Sequence, residues 1–339
     1  MRGCVAAGML LTLLLFGGAW ITAPEGVPDE AVGEETPVVG SMQNADAEEA
    51  PTDSQVVLKV WDGEAVREMT VAEYLPCVVR GEMPASFAPE ALKAQAVAER
   101  TYIYYKIQTG GKASHPDADV CMSPACCSAY TDRQTAADKW GDKAEEYEKR
   151  IQQAVEETDG QVMLYGGEPI FAAFHSSSAG VTANSGDVWV KDLPYLASVE
   201  SPEGEDSVPN YYSVKTVKAS EFKKIFAAEY PAAKFSTDTK DWIGKITLND
   251  SDRVETIVIG GVSVEGTAVR SMYGLRSACF TVETESDAVI FRVTGYGHGV
   301  GMSQYGANEL AKQGKTWREI LQWYYTGVSI ETYSPELLK

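Results

Sequence analysis

A single carboxyl group has the surroundings expected of an acid–base catalyst. Glu82 lies in the segment Val78–Pro84, among mostly apolar neighbours, where a predicted helix ends. Apolar surroundings and the negative pole of a helix dipole both favour the neutral carboxylic acid, so we expect a raised pKa for Glu82. Such a group can protonate a leaving oxygen and later accept a proton. Taken alone, a surface glutamate at a helix end is the simpler interpretation.

Three further residues have a spacing that suits a metal ion. His115, Cys121 and Cys127 are separated by five residues each, and Cys126 adjoins the last of them. One imidazole and two thiolates are a competent ligand set for tetrahedral zinc, although the spacing is not that of a standard zinc finger. The alternative is a disulfide from Cys121 to Cys126 or Cys127, because adjacent cysteines cannot easily bridge each other. We expect the zinc site.

Two polar clusters could contact a ligand. One begins at His175 and continues through Ser176–Ser178, and the other is the glycine-rich segment Gly295–Gly306, which contains His298 and Gln304. Serine with histidine suggests nucleophilic catalysis. No G-x-S-x-G segment and no aspartate partner accompanies them, so a serine hydrolase is disfavoured. The glycines fit a backbone shaped beside a ligand cleft better.

One basic side chain could also bind a substrate. Arg100 follows Lys93 by seven residues on the same predicted helix, so the two share a helix face. A guanidinium there could bind a carboxylate or hydroxyl groups. A solvated arginine without a function is the alternative.

Two helices must position these residues. A capping box at Thr70–Glu73 predicts a helix that begins at Val71. It should end near Gly81, because Pro84 disfavours helical geometry at the residue before it. Pro89 suits the first turn of a second helix, which would carry Arg100.

The rest of the chain mixes helices with strands. A polar helix is expected over residues 136–157, and a second capping box at Thr316–Glu319 predicts a C-terminal helix. From Gly160 onward, short apolar runs separated by glycines predict strands. Because helices predominate early and strands late, the sequence predicts an α+β fold, with one large mixed domain that contains a cleft.

The N-terminal residues 1–24 predict a membrane anchor. Residues Gly3–Ala23 carry no charge and are long enough to span a bilayer. A cleaved signal peptide is the alternative, but cleavage after Ala23 would leave Ile21 and Pro24 at unsuitable positions. We therefore expect a retained single-pass helix, with the remainder of the chain outside the membrane.

Residues 25–55 predict an acidic, disordered tether, and residues 56–335 the folded domain. The stretch from Pro24 to Ser54 has nine acidic residues, Asp53 among them, and no lysine or arginine. The net charge of -20 excludes nucleic acid as a partner, because nucleic-acid binding needs a basic surface. It also argues against adhesion to anionic lipids by charge. An uncharged polymer such as a glycan is compatible with it.

In combination, these segments resemble the stage II sporulation protein D family of peptidoglycan lytic transglycosylases, which is related to the amidase-enhancer proteins. The resemblance extends from about Val56 to Thr332 and depends on the combination of segments and their order. Two positions depart from the pattern: Ala179 stands where the family usually has glycine, and Glu99 where it often has alanine. The resembling stretches are Thr70–Leu75, Gly81–Phe87, Ala91–Tyr102, Phe174–Gly180, Asp187–Trp189, Leu193–Leu196, Gly274–Ser277 and Gly295–Ala307.

The resemblance implies a role for each candidate. The family's catalytic glutamate falls on Glu82 and its helix arginine on Arg100. His115, Cys121 and Cys127 match the positions of zinc ligands in some clostridial members, and a Zn²⁺ bound there is expected to be structural. The expected substrate-binding residues are Arg100, His175, Ser176, Ser177, His298 and Gln304.

The resemblance also implies a reaction and a setting. Glu82 would protonate the glycosidic oxygen between N-acetylmuramic acid and N-acetylglucosamine. Its carboxylate would then deprotonate the C6 hydroxyl, which closes a 1,6-anhydro ring without a second carboxylate. The implied setting is septal wall thinning during forespore engulfment, on the mother-cell membrane facing the forespore. The implied partners are glycan strands, a cell-wall amidase and a multi-span membrane protein.

Two other functions remain open from the sequence. One is a non-catalytic, glycan-binding enhancer of a cell-wall amidase. The other is a zinc hydrolase with an open site at His115, Cys121 and Cys127. The products separate the three: anhydro ends, no cleavage, or hydrolysed ends.

Overall fold

The computed structural model describes residues 52–111 and 114–333. The predicted anchor over residues 1–24 and most of the predicted tether over residues 25–55 lie outside these ranges. Within them, no helix combines the length and apolar character needed to cross a membrane.

Helices and strands are mixed throughout, which confirms the predicted α+β class. The α-helices of the described residues are α1 Val71–Glu82, α2 Pro89–Gln108, α3 Arg133–Trp140, α4 Ala144–Glu156, α5 Ala219–Glu229, α6 Gly266–Tyr273, α7 Gln304–Lys312 and α8 Trp317–Tyr324. The strands are β1 Val57–Trp61, β2 Val66–Thr70, β3 Val120–Cys121, β4 Gln161–Tyr165, β5 Glu168–Pro169, β6 Phe174–His175, β7 Tyr212–Lys218, β8 Ile243–Leu248, β9 Val254–Ile259, β10 Val262–Glu265, β11 Phe280–Thr284, β12 Ala288–Thr294, β13 Met302–Ser303 and β14 Ser329–Thr332.

Two hydrophobic cores form. The larger surrounds α2, which packs against α1, α4, α7, α8 and β4, and it includes the sheets β2-β1-β3 and β14-β4-β5. The smaller lies between residues 217 and 293, where α5 and α6 cover the sheets β10-β9-β8 and β11-β12-β7. The small parallel pair β6-β13 belongs to the larger core.

The two helices nearest Glu82 form for local reasons. The predicted capping box at the start of α1 is present, because Thr70 and Glu73 exchange side chain-to-backbone hydrogen bonds. After Glu82 the chain becomes extended at Met83, as Pro84 requires. Helix α2 is rich in alanine, and its burial on nearly every side lets neighbouring elements approach closely.

The polar helix predicted over residues 136–157 is wrong in one respect. The structure has two helices there, α3 and α4, separated by a short turn that begins at Gly141. Gly141 adopts a φ of +56° and a ψ of −126°, a backbone conformation that glycine tolerates and that a helix cannot continue through.

Candidate active site

Glu82 is the last residue of α1, close to the predicted helix end, and it is half-buried. One of its carboxyl oxygens, Oε1, accepts a hydrogen bond from the Ala129 backbone N–H at 2.5 Å. The Gln304 side chain donates to the Glu82 backbone carbonyl at 3.0 Å. Burial raises the pKa of the Glu82 carboxyl, and the Ala129 hydrogen bond opposes that shift only in part. The expected raised pKa is confirmed.

Residues 128–131 lie directly against the end of α1. The Thr131 N–H donates to the Cys77 carbonyl of that helix at 2.9 Å. Glycine is required at position 81, because a Cβ there would collide with the Ala129 carbonyl. This close approach brings the Ala129 N–H within reach of Glu82.

A cluster of one histidine and three cysteines lies next to this segment. The candidate ligand atoms of His115, Cys121, Cys126 and Cys127 all lie within 4.8 Å of one another. His115 Nε2 is 3.2 Å from Cys126 Sγ and 3.7 Å from Cys127 Sγ. No disulfide joins the cysteines in the described part of the chain. The structure therefore brings the three predicted ligands together and adds Cys126 as a fourth.

The geometry of this cluster fits a tetrahedral zinc ion. Bonds of about 2.3 Å to sulfur and about 2.0 Å to nitrogen at a tetrahedral angle would separate those two ligand atoms by about 3.5 Å. The two measured nitrogen–sulfur distances lie on either side of that value. His115 Nδ1 is 3.2 Å from the Ala118 carbonyl, where an Nδ1–H would donate and leave the Nε2 lone pair facing the thiols. The residues present fit the ion.

The two polar clusters predicted from the sequence come together. His175 on β6 pairs with Ser303 on β13, and Ser177 pairs with Tyr296 through two backbone hydrogen bonds. The Tyr305 N–H donates to the Ser176 carbonyl at 3.0 Å. Because Gln304 stands between Ser303 and Tyr305 and also holds Glu82, the paired clusters lie beside the end of α1.

Both histidines of these clusters are electrically neutral at physiological pH. Burial, together with the charge of Arg253, lowers the pKa of His175 to about 3. Burial and the neighbouring His175 lower the pKa of His298 to about 3. The two rings lie 5.7 Å apart, and the Trp189 ring is 5.1 Å from that of His298. Neither imidazole can therefore donate a proton as imidazolium near neutral pH.

The predicted substrate-binding residues differ in accessibility. Ser176 and His298 are half-buried, which leaves part of each able to contact a ligand. His175 and Ser177 are buried, although His175 Nε2 and Ser177 Oγ lack a hydrogen-bond partner in the described residues. Gln304 is buried and directed at the Glu82 backbone.

The structure corrects the prediction that Arg100 binds substrate. Arg100 is fully buried, and its guanidinium donates to both carboxyl oxygens of Asp53, with a shortest distance of 2.7 Å. Its remaining N–H groups donate to the Val155 and Gln161 carbonyls. The prediction that Asp53 belongs to a disordered tether is also wrong, because Asp53 is the buried counter-charge that this guanidinium needs.

Two buried carboxyl groups were not among the candidates. Glu203 accepts hydrogen bonds from the Ser178 N–H and from the Ser201 and Ser303 hydroxyls, and so fastens the two polar clusters together. Glu99, on α2, accepts a hydrogen bond from Ser128. Glu203 has no sequence signal, whereas Glu99 is the position that departs from the family pattern.

Comparison with known proteins supports the resemblance seen in the sequence. A family model described as Stage II sporulation protein matches residues 62–165. The Stage II sporulation protein D of Bacillus subtilis (strain 168) is 37% identical over 268 residues, which cover 79% of this chain and 76% of the relative. That of Bacillus amyloliquefaciens is 36% identical over 268 residues, 78% of this chain and 75% of the relative.

A protein of a second kind is also similar. The amidase enhancer of Bacillus subtilis (strain 168) is 29% identical over 306 residues. The match covers 76% of this chain but 40% of that longer relative.

Proposed function

The chain belongs to the stage II sporulation protein D family, and from that premise we propose that it is a lytic transglycosylase of peptidoglycan with Glu82 as its acid and base. A role in the cell wall during sporulation follows from the family. The observation that carries the finer proposal is the Glu82 carboxyl, which is half-buried, has a raised pKa and, among the described residues, is hydrogen-bonded through one oxygen.

In this proposal each Glu82 oxygen has its own task. The Ala129 N–H occupies Oε1, so the acidic proton resides on Oε2 and can be donated to the glycosidic oxygen. The C1–oxygen bond breaks as the leaving hydroxyl of N-acetylglucosamine takes that proton. The carboxylate then accepts the proton of the C6 hydroxyl of N-acetylmuramic acid, whose oxygen bonds to C1. Glu82 ends the cycle protonated, so no external proton is consumed.

The neighbouring residues favour a one-carboxyl mechanism. His175 and His298 are neutral and do not replace Glu82 as the acid. Gln304 fixes the backbone of Glu82, and the paired polar clusters supply the adjoining surface for the sugar. We propose that Ser176 and His298, both half-buried, contact it.

The cysteine–histidine cluster serves as a structural zinc site in this proposal. Zinc held by four protein ligands has no open position for a water molecule, so it stabilises the loop instead of supplying a nucleophile. Because Cys126 would provide the fourth ligand, the zinc-hydrolase alternative would lack the open position that it requires.

The partners and location are proposed from the same premise. The similarity to an amidase enhancer favours action beside a cell-wall amidase. We propose a single-pass anchor that holds the catalytic domain on the mother-cell membrane facing the forespore, with a multi-span membrane protein as a further partner.

Product analysis tests the proposal. Full-length protein is incubated with purified glycan strands, and the ends are identified by mass spectrometry. New 1,6-anhydromuramic ends are expected. New reducing ends would point to a hydrolase. No cleavage, together with faster stem-peptide release by an added amidase, would support a non-catalytic enhancer.

A further inference from the structure

Glu99 is a fully buried carboxyl group without a positive partner. It lies on α2, and in the described residues it forms no ion pair. Its hydrogen bonds come from the Ser128 hydroxyl at 2.9 Å and the Gln95 amide at 3.3 Å. A carboxylate removed from water without a cation is strongly disfavoured, so this environment selects the neutral acid.

Glu99 and Glu82 are held by consecutive residues. The Ser128 hydroxyl donates to Glu99 Oε2, and the Ala129 N–H donates to Glu82 Oε1. The two carboxyl groups therefore approach the same short segment from α2 and α1. Burial and the Glu82 charge together raise the pKa of Glu99 to about 8.

The Gln95 amide suits a protonated neighbour. Gln95 is fully buried, one turn before Glu99, and its Oε1 has no hydrogen-bond partner in the described residues. Rotation of the amide brings this oxygen towards Glu99, where it can accept a carboxylic O–H. An ionised Glu99 could not supply that proton.

Within the part of the chain that the structure describes, none of the groups facing Glu99 offers it a positive charge. Besides Glu82, they are Tyr74 from α1, Tyr102 from α2 and Tyr325 after α8, and the Glu99 charge helps to raise the pKa of each tyrosine. The Cys127 thiol lies beside Tyr74 and Tyr102. Since none of these groups is a cation, the Glu99 carboxyl is neutral only when it is protonated.

We propose that Glu99 is the partner carboxyl of Glu82, and that the two buried groups share protons so that Glu82 enters the reaction as the acid. The inference rests on the proposed function of Glu82. Two neighbouring like charges cannot both form readily, so the pair keeps at least one proton across neutral pH, which the two carboxyl groups exchange, and it titrates as a unit. Glu99 is thus a positioning residue for the proton of Glu82.

The pH dependence of cleavage tests this pairing. Release of anhydromuramic ends by the full-length wild type is compared with that by Glu99→Gln, which keeps the size of the side chain but cannot ionise. We expect the alkaline limb of the Glu99→Gln profile to move about 1–2 pH units towards acid. Glu148→Gln, which removes a buried carboxyl outside the two polar clusters, is the matched control and should leave the limb in place. Coincident limbs for wild type and Glu99→Gln would overturn the proposal.

A measurement without substrate separates the pairing from the proposed function. With a pKa raised from 4.5 to about 8 on folding, Glu99 contributes stability below pH 4.5 that is lost as the pH rises towards 8. The wild type should therefore lose melting temperature over that interval more steeply than Glu99→Gln. Parallel curves would overturn the pairing even if glycan is cleaved. Different slopes without any cleavage by wild type would keep the pair but contradict the proposed function, and with it the catalytic part of this inference.

Discussion

Two consecutive residues of α2 are both fully buried, and the fold neutralises them in opposite ways. Arg100 keeps its charge, because Asp53 and two backbone carbonyls surround its guanidinium. Glu99 has hydroxyl and amide neighbours but no cation among the described residues, so it retains its proton. A buried charge that is paired with a counter-ion stabilises the fold, whereas a buried acid without a counter-ion stays protonated and can take part in proton transfer.

Removal of the Asp53 carboxylate from its ion pair with Arg100 should cause the largest loss in the free energy of unfolding. Asp53→Ala leaves the Arg100 guanidinium buried without its counter-charge, which costs about 3–5 kcal/mol. Chemical denaturation of the variant and wild type measures the difference. Glu283→Ala, which removes an exposed carboxylate paired with the exposed Arg292, is the control and should cost much less. Equal losses for the two variants would show that the Arg100 pair is not a buried ion pair.

The cysteine–histidine cluster lies next to the two carboxyl groups, because Ser128 and Ala129, which donate to Glu99 and Glu82, follow Cys127 directly in the chain. Cys126→Ser removes one of four ligands and should weaken zinc binding by at least about 100-fold, or about 2.7 kcal/mol. Metal analysis and chelator competition measure this effect. Cys279→Ser, outside the cluster, is the control and should leave metal content unchanged. A wild type that contains no zinc, or a Cys126→Ser variant that retains full affinity, would contradict the assignment.

The smallest effect on stability should come from loss of the hydrogen bond that Ser128 donates to Glu99. Ser128→Ala removes the hydroxyl that binds Glu99 but leaves the carboxyl group in place. We expect the free energy of unfolding to fall by about 1 kcal/mol, because a neutral buried acid that loses one hydrogen-bond donor is destabilised less than a buried charge left unpaired. Thermal melts of Ser128→Ala and Asp53→Ala under the same conditions compare the two losses. A Ser128→Ala loss as large as that of Asp53→Ala would mean that Glu99 is ionised.

Local signals made the environment of Glu82 predictable. The capping box at Thr70 and the restriction before Pro84 place both ends of α1, and Glu82 with it. Apolar neighbours then predict the direction of its pKa shift. The strand Val254–Ile259 and the capping box at Thr316 were predictable in the same way, because each depends on a few adjacent residues.

Contacts distant in the sequence were not predictable. Arg100 pairs with a residue 47 positions earlier, in a segment whose acidic composition indicates disorder. The sequence around Glu99 does not indicate that its carboxyl is buried beside Glu82, because this depends on how α1 and residues 128–129 pack against α2. The spacing alone does not identify Cys126 as the fourth ligand, because it does not show that the loop directs both the Cys126 and the Cys127 thiol at His115.

The central claim is that the Glu82 proton cleaves the glycan, and Glu82→Gln tests it most directly. Glutamine keeps the size of the side chain and can still accept the Ala129 hydrogen bond, but it cannot protonate a leaving oxygen. We expect release of 1,6-anhydromuramic ends to fall about 100- to 10,000-fold. The melting temperature at neutral pH should be equal to or above that of wild type, because a neutral amide suits a site that raises the pKa of Glu82. Equal release of anhydro ends by Glu82→Gln and wild type would contradict the account.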